Sequence, residues 1–222
     1  AVSSALIGCV LGGMVGGIVA SALGRKRGLM IAAVLFIMSA VGSAYPELGF
    51  PHGASHTFLT QFIIYRIIGG VGVGLASMLS PMYIAEMAPA SRRGGLVAWN
   101  QFAIIFGMLV VYFVNYFIAL NGDEAWLTST GWRLMFLSEV IPAALLFLLV
   151  LGVPESPRWL IMKGREAKAV AILERINGAP EAEVEAQSIR RSLHGTVKAK
   201  LFSYGVGVIV IGMLLSVFQQ FI

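Results

Sequence analysis

Six nearly unbroken apolar stretches, roughly 1 to 22, 29 to 46, 57 to 82, 96 to 120, 132 to 153 and 202 to 222, limit this chain more than any other feature. About 20 residues carry an α-helix across the hydrocarbon core of a bilayer, where each backbone polar group must find its partner within the segment or a closed barrel. The stretches therefore predict an all-α polytopic membrane protein with about six transmembrane helices. The second is short and is expected to extend into its flanks. Charged residues make up only 12% of the chain, about half the share of a soluble domain, which excludes an ordinary soluble enzyme.

Two of these helices carry an ionisable residue, Arg66 and Glu139. A charge at mid-bilayer costs about 2.5–3.5 kcal/mol on insertion scales, so such residues mark partners or a watery path. From where their spans begin, the two sit roughly 14 and 10 Å in at 1.5 Å per residue, which allows an ion pair. A static structural pair is the plainer alternative.

Basic residues set the orientation. Arg25, Lys26 and Arg27, then Arg92 and Arg93, then nine residues between Arg158 and Lys200 fall in alternate loops, while loops 47 to 56 and 121 to 131 hold none. The first set is cytoplasmic by the positive-inside rule, and the net charge of +5 reflects topology rather than nucleic-acid binding. The first span then runs inward, so the chain reads as a fragment with at least one span before Ala1.

Within 154 to 201, Ser156 is an N-cap candidate and Pro157 suits the first helical position. Ala169, Ile172, Leu173 and Ile176 form one apolar stripe of a second helix, which Gly178 and Pro180 are expected to end. A third opens with Glu181, Glu183 and Glu185, carries Ala186, Ile189 and Leu193 on one side, and finishes with Arg190 and Arg191. Gly8, Gly12 and Gly16, like Gly70 and Gly74, recur every fourth residue, spacing that permits close helix packing within one bundle. Cys9 is the lone cysteine, and His52 and His56 have no further ligand beside them, so no metal site or cofactor is expected.

Arg66-Ile-Ile-Gly-Gly-Val-Gly-Val-Gly74, Pro81-Met-Tyr-Ile-Ala-Glu-Met-Ala-Pro89, Arg92-Arg-Gly94, Gly131-Trp-Arg133 and Pro154-Glu-Ser-Pro-Arg158, in this order and spacing, resemble the sugar porters of the major facilitator superfamily. The resemblance runs over essentially all 222 residues and makes the visible spans the second to seventh of twelve. It implies three segments: most of an amino-terminal bundle at 1–153, cytoplasmic linker helices at 154–201, and the first helix of a carboxy-terminal bundle at 202–222. It also implies a monomeric carrier in a bacterial inner membrane that moves a pentose or hexose of the xylose type. Transport would proceed by alternating access with proton symport, a proton-independent facilitator or a sugar sensor being the alternatives.

Residue roles follow from the same resemblance. Arg66 and Glu139 would couple protonation to movement together with an acidic residue of the first of the twelve helices, which these residues do not include. Gln101, Gln219 and Gln220 match sugar-contacting glutamines, and amides both donate to and accept from hydroxyls. Gln101, Met108 and Asn115 share a helix face; Met108 stands where the nearest pattern has a glutamine, replacing an amide with a flexible thioether. Helix-to-helix hydrogen bonding is the alternative use for these amides. Arg25, Glu86, Arg93, Glu155 and Arg158 match positions that close a cytoplasmic gate. Ser21 replaces the Asp usual in the wider superfamily's loop motif.

Overall fold

The computed structural model describes residues 3–47, 57–89, 91–194 and 210. Among the described residues five helices are long and apolar enough to span a membrane: α1 (Ser4–Ala22), α2 (Arg25–Ala44), α3 (Thr57–Met87), α4 (Arg93–Leu120) and α5 (Glu124–Gly152). Of the sixth expected span only Val210 falls within the described residues. Gln219, Gln220, His52 and His56 lie outside them.

The second span extends into its amino-terminal flank, as its short apolar run called for, and the fifth starts earlier than its apolar run. Helix α2 begins at Arg25, so the basic triad forms its first turn instead of a loop, and only Leu23 and Gly24 connect it to α1. Gly24 has φ +99°, which reverses the chain in two residues at a conformation L side chains avoid. Helix α5 begins at Glu124, where the Asp123 carboxylate accepts from Trp126 N at 2.9 Å. It passes through a π-turn at Leu127–Gly131 and is interrupted at Glu139. Pro142 accounts for the interruption, since it has no N–H for the Ser138 carbonyl and its ring crowds that oxygen.

Lipid gives apolar side chains no reason to prefer one another, so close helix contact depends on shape. The α1–α3 crossing uses the glycine repeats for this. A Cβ on Gly70 would lie 2.1 Å from the Ala5 carbonyl oxygen, and one on Gly74 would lie 2.2 Å from that of Cys9. Gly8 and Gly12 meet the Ile67 and Val71 carbonyls from the other side. Leu29 and Ala32 of α2, Leu75 and Leu79 of α3 and Val150 of α5 then form the packed centre of the bundle. Helix α4 has no buried residue along its 28 positions.

Among the described residues three shorter helices follow: α6 (Pro157–Met162), α7 (Glu166–Asn177) and α8 (Ala179–His194). Ser156 caps α6, accepting from Trp159 N at 3.3 Å, with Pro157 at the first helical position as expected. The stripe of α7 is buried at Ala169 and Leu173 against Trp159, Leu160, Ala182 and Ala186. Gly178, at φ +87°, ends α7 alone. Pro180 does not terminate that helix but opens α8 in its first turn, where a missing N–H costs nothing. Arg190 of α8 returns to Glu166 of α7 at 2.9 Å.

Candidate functional site

The two intramembrane charges approach each other across α3 and α5 without joining. The Arg66 guanidinium lies over the Phe136 ring, 5.5 Å from its centroid, one helical turn before Glu139. The expected ion pair is nonetheless not formed, because no N–O approach of 4.0 Å or less joins them. The reason is geometric: the aromatic face takes the cation, an attraction of about 0.5–2 kcal/mol depending on desolvation. Arg66 is half-buried and Glu139 is exposed at the helix interruption, so the carboxylate is the accessible member. With α5 starting at Glu124, Glu139 lies about 22 Å along its helix rather than 10 Å. Counting residues from the span ends therefore did not place the two together; the contact through Phe136 does.

Along α4, Gln101 and Met108 are exposed and Asn115 is half-buried, on the shared face their spacing implied. The Asn115 Oδ1 is buried without a hydrogen-bond partner, as is Oε1 of Gln61 in α3, a residue only 5% exposed. An unpaired buried acceptor costs about 1–3 kcal/mol, so both positions favour a donor arriving from elsewhere. Nothing in the sequence distinguished Gln61 from a packing amide. The neighbouring Asn100 is not free, since it accepts from Ser80 Oγ at 2.9 Å.

At the basic end of the bundle, three of the five residues expected to form a gate assemble tightly. Arg25 Nη2 donates to Glu86 Oε1 at 2.7 Å, both side chains nearly buried, and Arg25 Nη1 donates to the Ala20 carbonyl at 2.9 Å. The other Glu86 oxygen accepts from Ser156 Oγ at 2.5 Å. Glu155 Oε1 accepts from the backbone N–H groups of Arg25, Lys26 and Ser156, each at 3.0 Å. Because Gly24 brings no capping side chain to α2, a carboxylate 130 residues away caps that helix, at the end where its dipole favours negative charge. A Cβ on Gly24 would fall 2.4 Å from Glu155 Oε2, so the glycine also makes room for the cap.

The remaining two stand apart from this cluster. Arg93 pairs with Glu185 of α8 at 3.7 Å rather than with Glu86 or Glu155. Arg158 lines a neighbouring cavity of about 280 Å³ with Glu86, Arg93 and Glu185. Several participants were not anticipated: Ser156 beyond its capping role, Tyr83, whose hydroxyl donates to the Pro154 carbonyl at 2.8 Å, and Trp159, whose indole donates to the Ser21 carbonyl at 3.1 Å. The last contact ties the end of α1 to α6 through the main-chain oxygen of Ser21. At the opposite end Arg133 Nη1 pairs with Glu47 at 2.5 Å and donates to the Ala44 carbonyl at 3.2 Å, clasping α5 to α2.

A family model described as "Sugar (and other) transporter" matches residues 1–222. The D-xylose-proton symporter of Escherichia coli (strain K12) is 57% identical over the whole chain, which covers 47% of that relative. The arabinose-proton symporter of Bacillus subtilis (strain 168) is 39% identical, again over the whole chain and 46% of the relative. A solved structure of the proton:xylose symporter XylE of E. coli, bound to 6-bromo-6-deoxy-D-glucose, matches with TM-score 0.90 and 56% identity over 99% of this chain and 48% of that one. The chain thus spans about half the length of the relatives it matches.

Proposed function

Since the chain belongs to the sugar transporter family of the major facilitator superfamily, we propose that its protein carries a monosaccharide, a pentose or hexose of the xylose type, across a bacterial inner membrane. Residues 1–153 are read as most of one bundle, 154–201 as its cytoplasmic linker and 202–222 as the start of the second bundle. The bundles rock around a central site, giving alternating access as a monomer. Gln101 binds sugar together with Gln219 and Gln220, and Met108 occupies the same face. Arg25, Glu86 and Glu155, with Arg93 and Arg158 beside them, lock the cytoplasmic side.

The observation that carries proton coupling is the open arrangement of Arg66 and Glu139. A closed pair would hold the carboxylate permanently charged; a carboxylate near a cation that is occupied by Phe136 can gain or lose its proton as the cation moves. The test is labelled-xylose uptake into liposomes holding the protein, with and without an inward proton gradient. Accumulation above equilibrium only with the gradient is expected, and Glu139→Gln should lose it while keeping sugar exchange. Equilibration indifferent to the gradient would make the protein a facilitator. Equal uphill uptake by Glu139→Gln would remove that residue from coupling.

A further inference from the structure

We propose a second binding site, for an anionic phospholipid, where the basic end of the bundle meets the linker helices. A cavity of about 440 Å³ opens there between α2, the end of α5, α6 and α7. Lys26, Arg27, Arg165 and Lys168 line it, and the only acid among its lining residues is Glu155. None of the four cations makes an ion pair among the described residues, in contrast to Arg25, Arg93, Arg133 and Arg190, which all do. Glu155 cannot neutralise them fully, because one of its oxygens is committed to three backbone N–H groups. Lys26 Nζ donates to the Leu151 carbonyl at 2.9 Å, which holds the ammonium at the cavity and leaves two of its protons for a ligand. Arg27, Arg165 and Lys168 are exposed and free to turn toward it.

A second cavity, of about 490 Å³ and lined almost wholly by apolar atoms, shares Arg27 and Met30 with the first. It follows α2 along Ile31, Val34 and Leu35, with Phe147 of α5 as the opposite wall. From Arg27 to Leu35 it runs about 12 Å into the span. A polar cationic basin adjoining, across Arg27 and Met30, an apolar groove that descends along a transmembrane helix has the division of a phospholipid, phosphodiester in one part and acyl chain in the other. Position agrees, since the positive-inside rule puts this end at the cytoplasmic leaflet and basic pockets between spans on that side favour anionic headgroups. A soluble phosphate compound would use the basin but leave the groove empty. The ligand is therefore a lipid, and its site is independent of which sugar is carried or whether protons are coupled.

Native mass spectrometry of the purified protein in detergent, titrated with phosphatidylglycerol or phosphatidylcholine of the same chains, tests this. Phosphatidylglycerol should bind at least tenfold more tightly. Each basic group near an anionic surface contributes roughly fivefold in affinity, so Arg27→Gln with Lys168→Gln should weaken phosphatidylglycerol about 30-fold and leave phosphatidylcholine unchanged. Both residues are on the surface, so folding is not at stake. Val34→Trp, which fills the groove without altering charge, should also weaken phosphatidylglycerol. Equal affinity for the two lipids, or an unaltered double variant, would overturn the site. Displacement of phosphatidylglycerol by equimolar glycerol phosphate, or indifference to Val34→Trp, would overturn the lipid in favour of a soluble anion.

Discussion

Single side chains in this protein differ most in what they leave unpaired. The Asn115 and Gln61 oxygens are buried acceptors without donors, whereas Arg25 places donors on Glu86 and on the Ala20 carbonyl. Where a site is built to bond a hydroxyl, losing one partner is costly, and where it is apolar the discrimination is shallow. Replacing Gln101 by Ala should therefore weaken sugar binding by roughly one to two orders of magnitude, read by calorimetry. Unchanged affinity would take Gln101 out of the pocket. Restoring an amide with Met108→Gln should change the ranking of sugars more than the affinity for any one. Residue types at these positions were readable from sequence because amides and charges are conspicuous in apolar spans. Their contacts were not, because a guanidinium over an aromatic ring and one paired with a carboxylate have the same spacing along the chain.

Among the elements, the α1–α3 crossing and the start of α2 depend on single positions. Gly70→Ala would drive a methyl into the Ala5 carbonyl, and overpacking of this kind costs about 1–3 kcal/mol. A fall in detergent melting temperature is expected, while Gly13→Ala, with open space at its Cβ, should leave it unchanged. Glu155→Ala strips three N–H groups of their acceptor and should destabilise α2 and its surroundings by about 2 kcal/mol. Glu155→Gln should fall between, since its amide oxygen still accepts but brings no charge to the helix end. Faster amide exchange at Arg25 and Lys26 would report the loss. The α6 cap was legible because Ser and Pro stand side by side at its start. The beginning of α2 was legible only as an extension beyond a short apolar run, because three basic residues lower local hydropathy although they suit a helix that ends at the membrane surface. The α5 interruption had its sign in Pro142, three residues beyond the charge it exposes.

At the scale of the whole molecule two cores are built on different physics. The spans meet through glycine stripes and small residues, as expected where lipid removes the hydrophobic drive. Helices α6 to α8 instead enclose a water-type core around Trp159, Leu160, Ala169, Leu173, Ala182 and Ala186. Leu173→Ala should accordingly cost about 2–5 kcal/mol in the linker. Trypsin should then cut within 163–191 much faster while the melting of the spans is little changed; coupled loss of both would show that the cores are one cooperative unit. The sequence separated these regions by composition alone, as alternation between apolar runs and charged amphipathic helices. It was silent on their fastening, which runs through Glu86, Ser156, Trp159 and the main chain at Ser21.

The carboxylate that seals α2 has a consequence in time as well as in space. Helix α2 emerges from the ribosome about 130 residues before Glu155 is made, a delay of roughly 7 to 26 s at ordinary rates of synthesis. Throughout that interval the first turn of α2 must borrow water or lipid headgroups for its amides. The inner end of the bundle therefore matures in two stages: Arg25 can reach Ala20 and Glu86 once α3 is made, and the amides of α2 wait for the segment that follows α5.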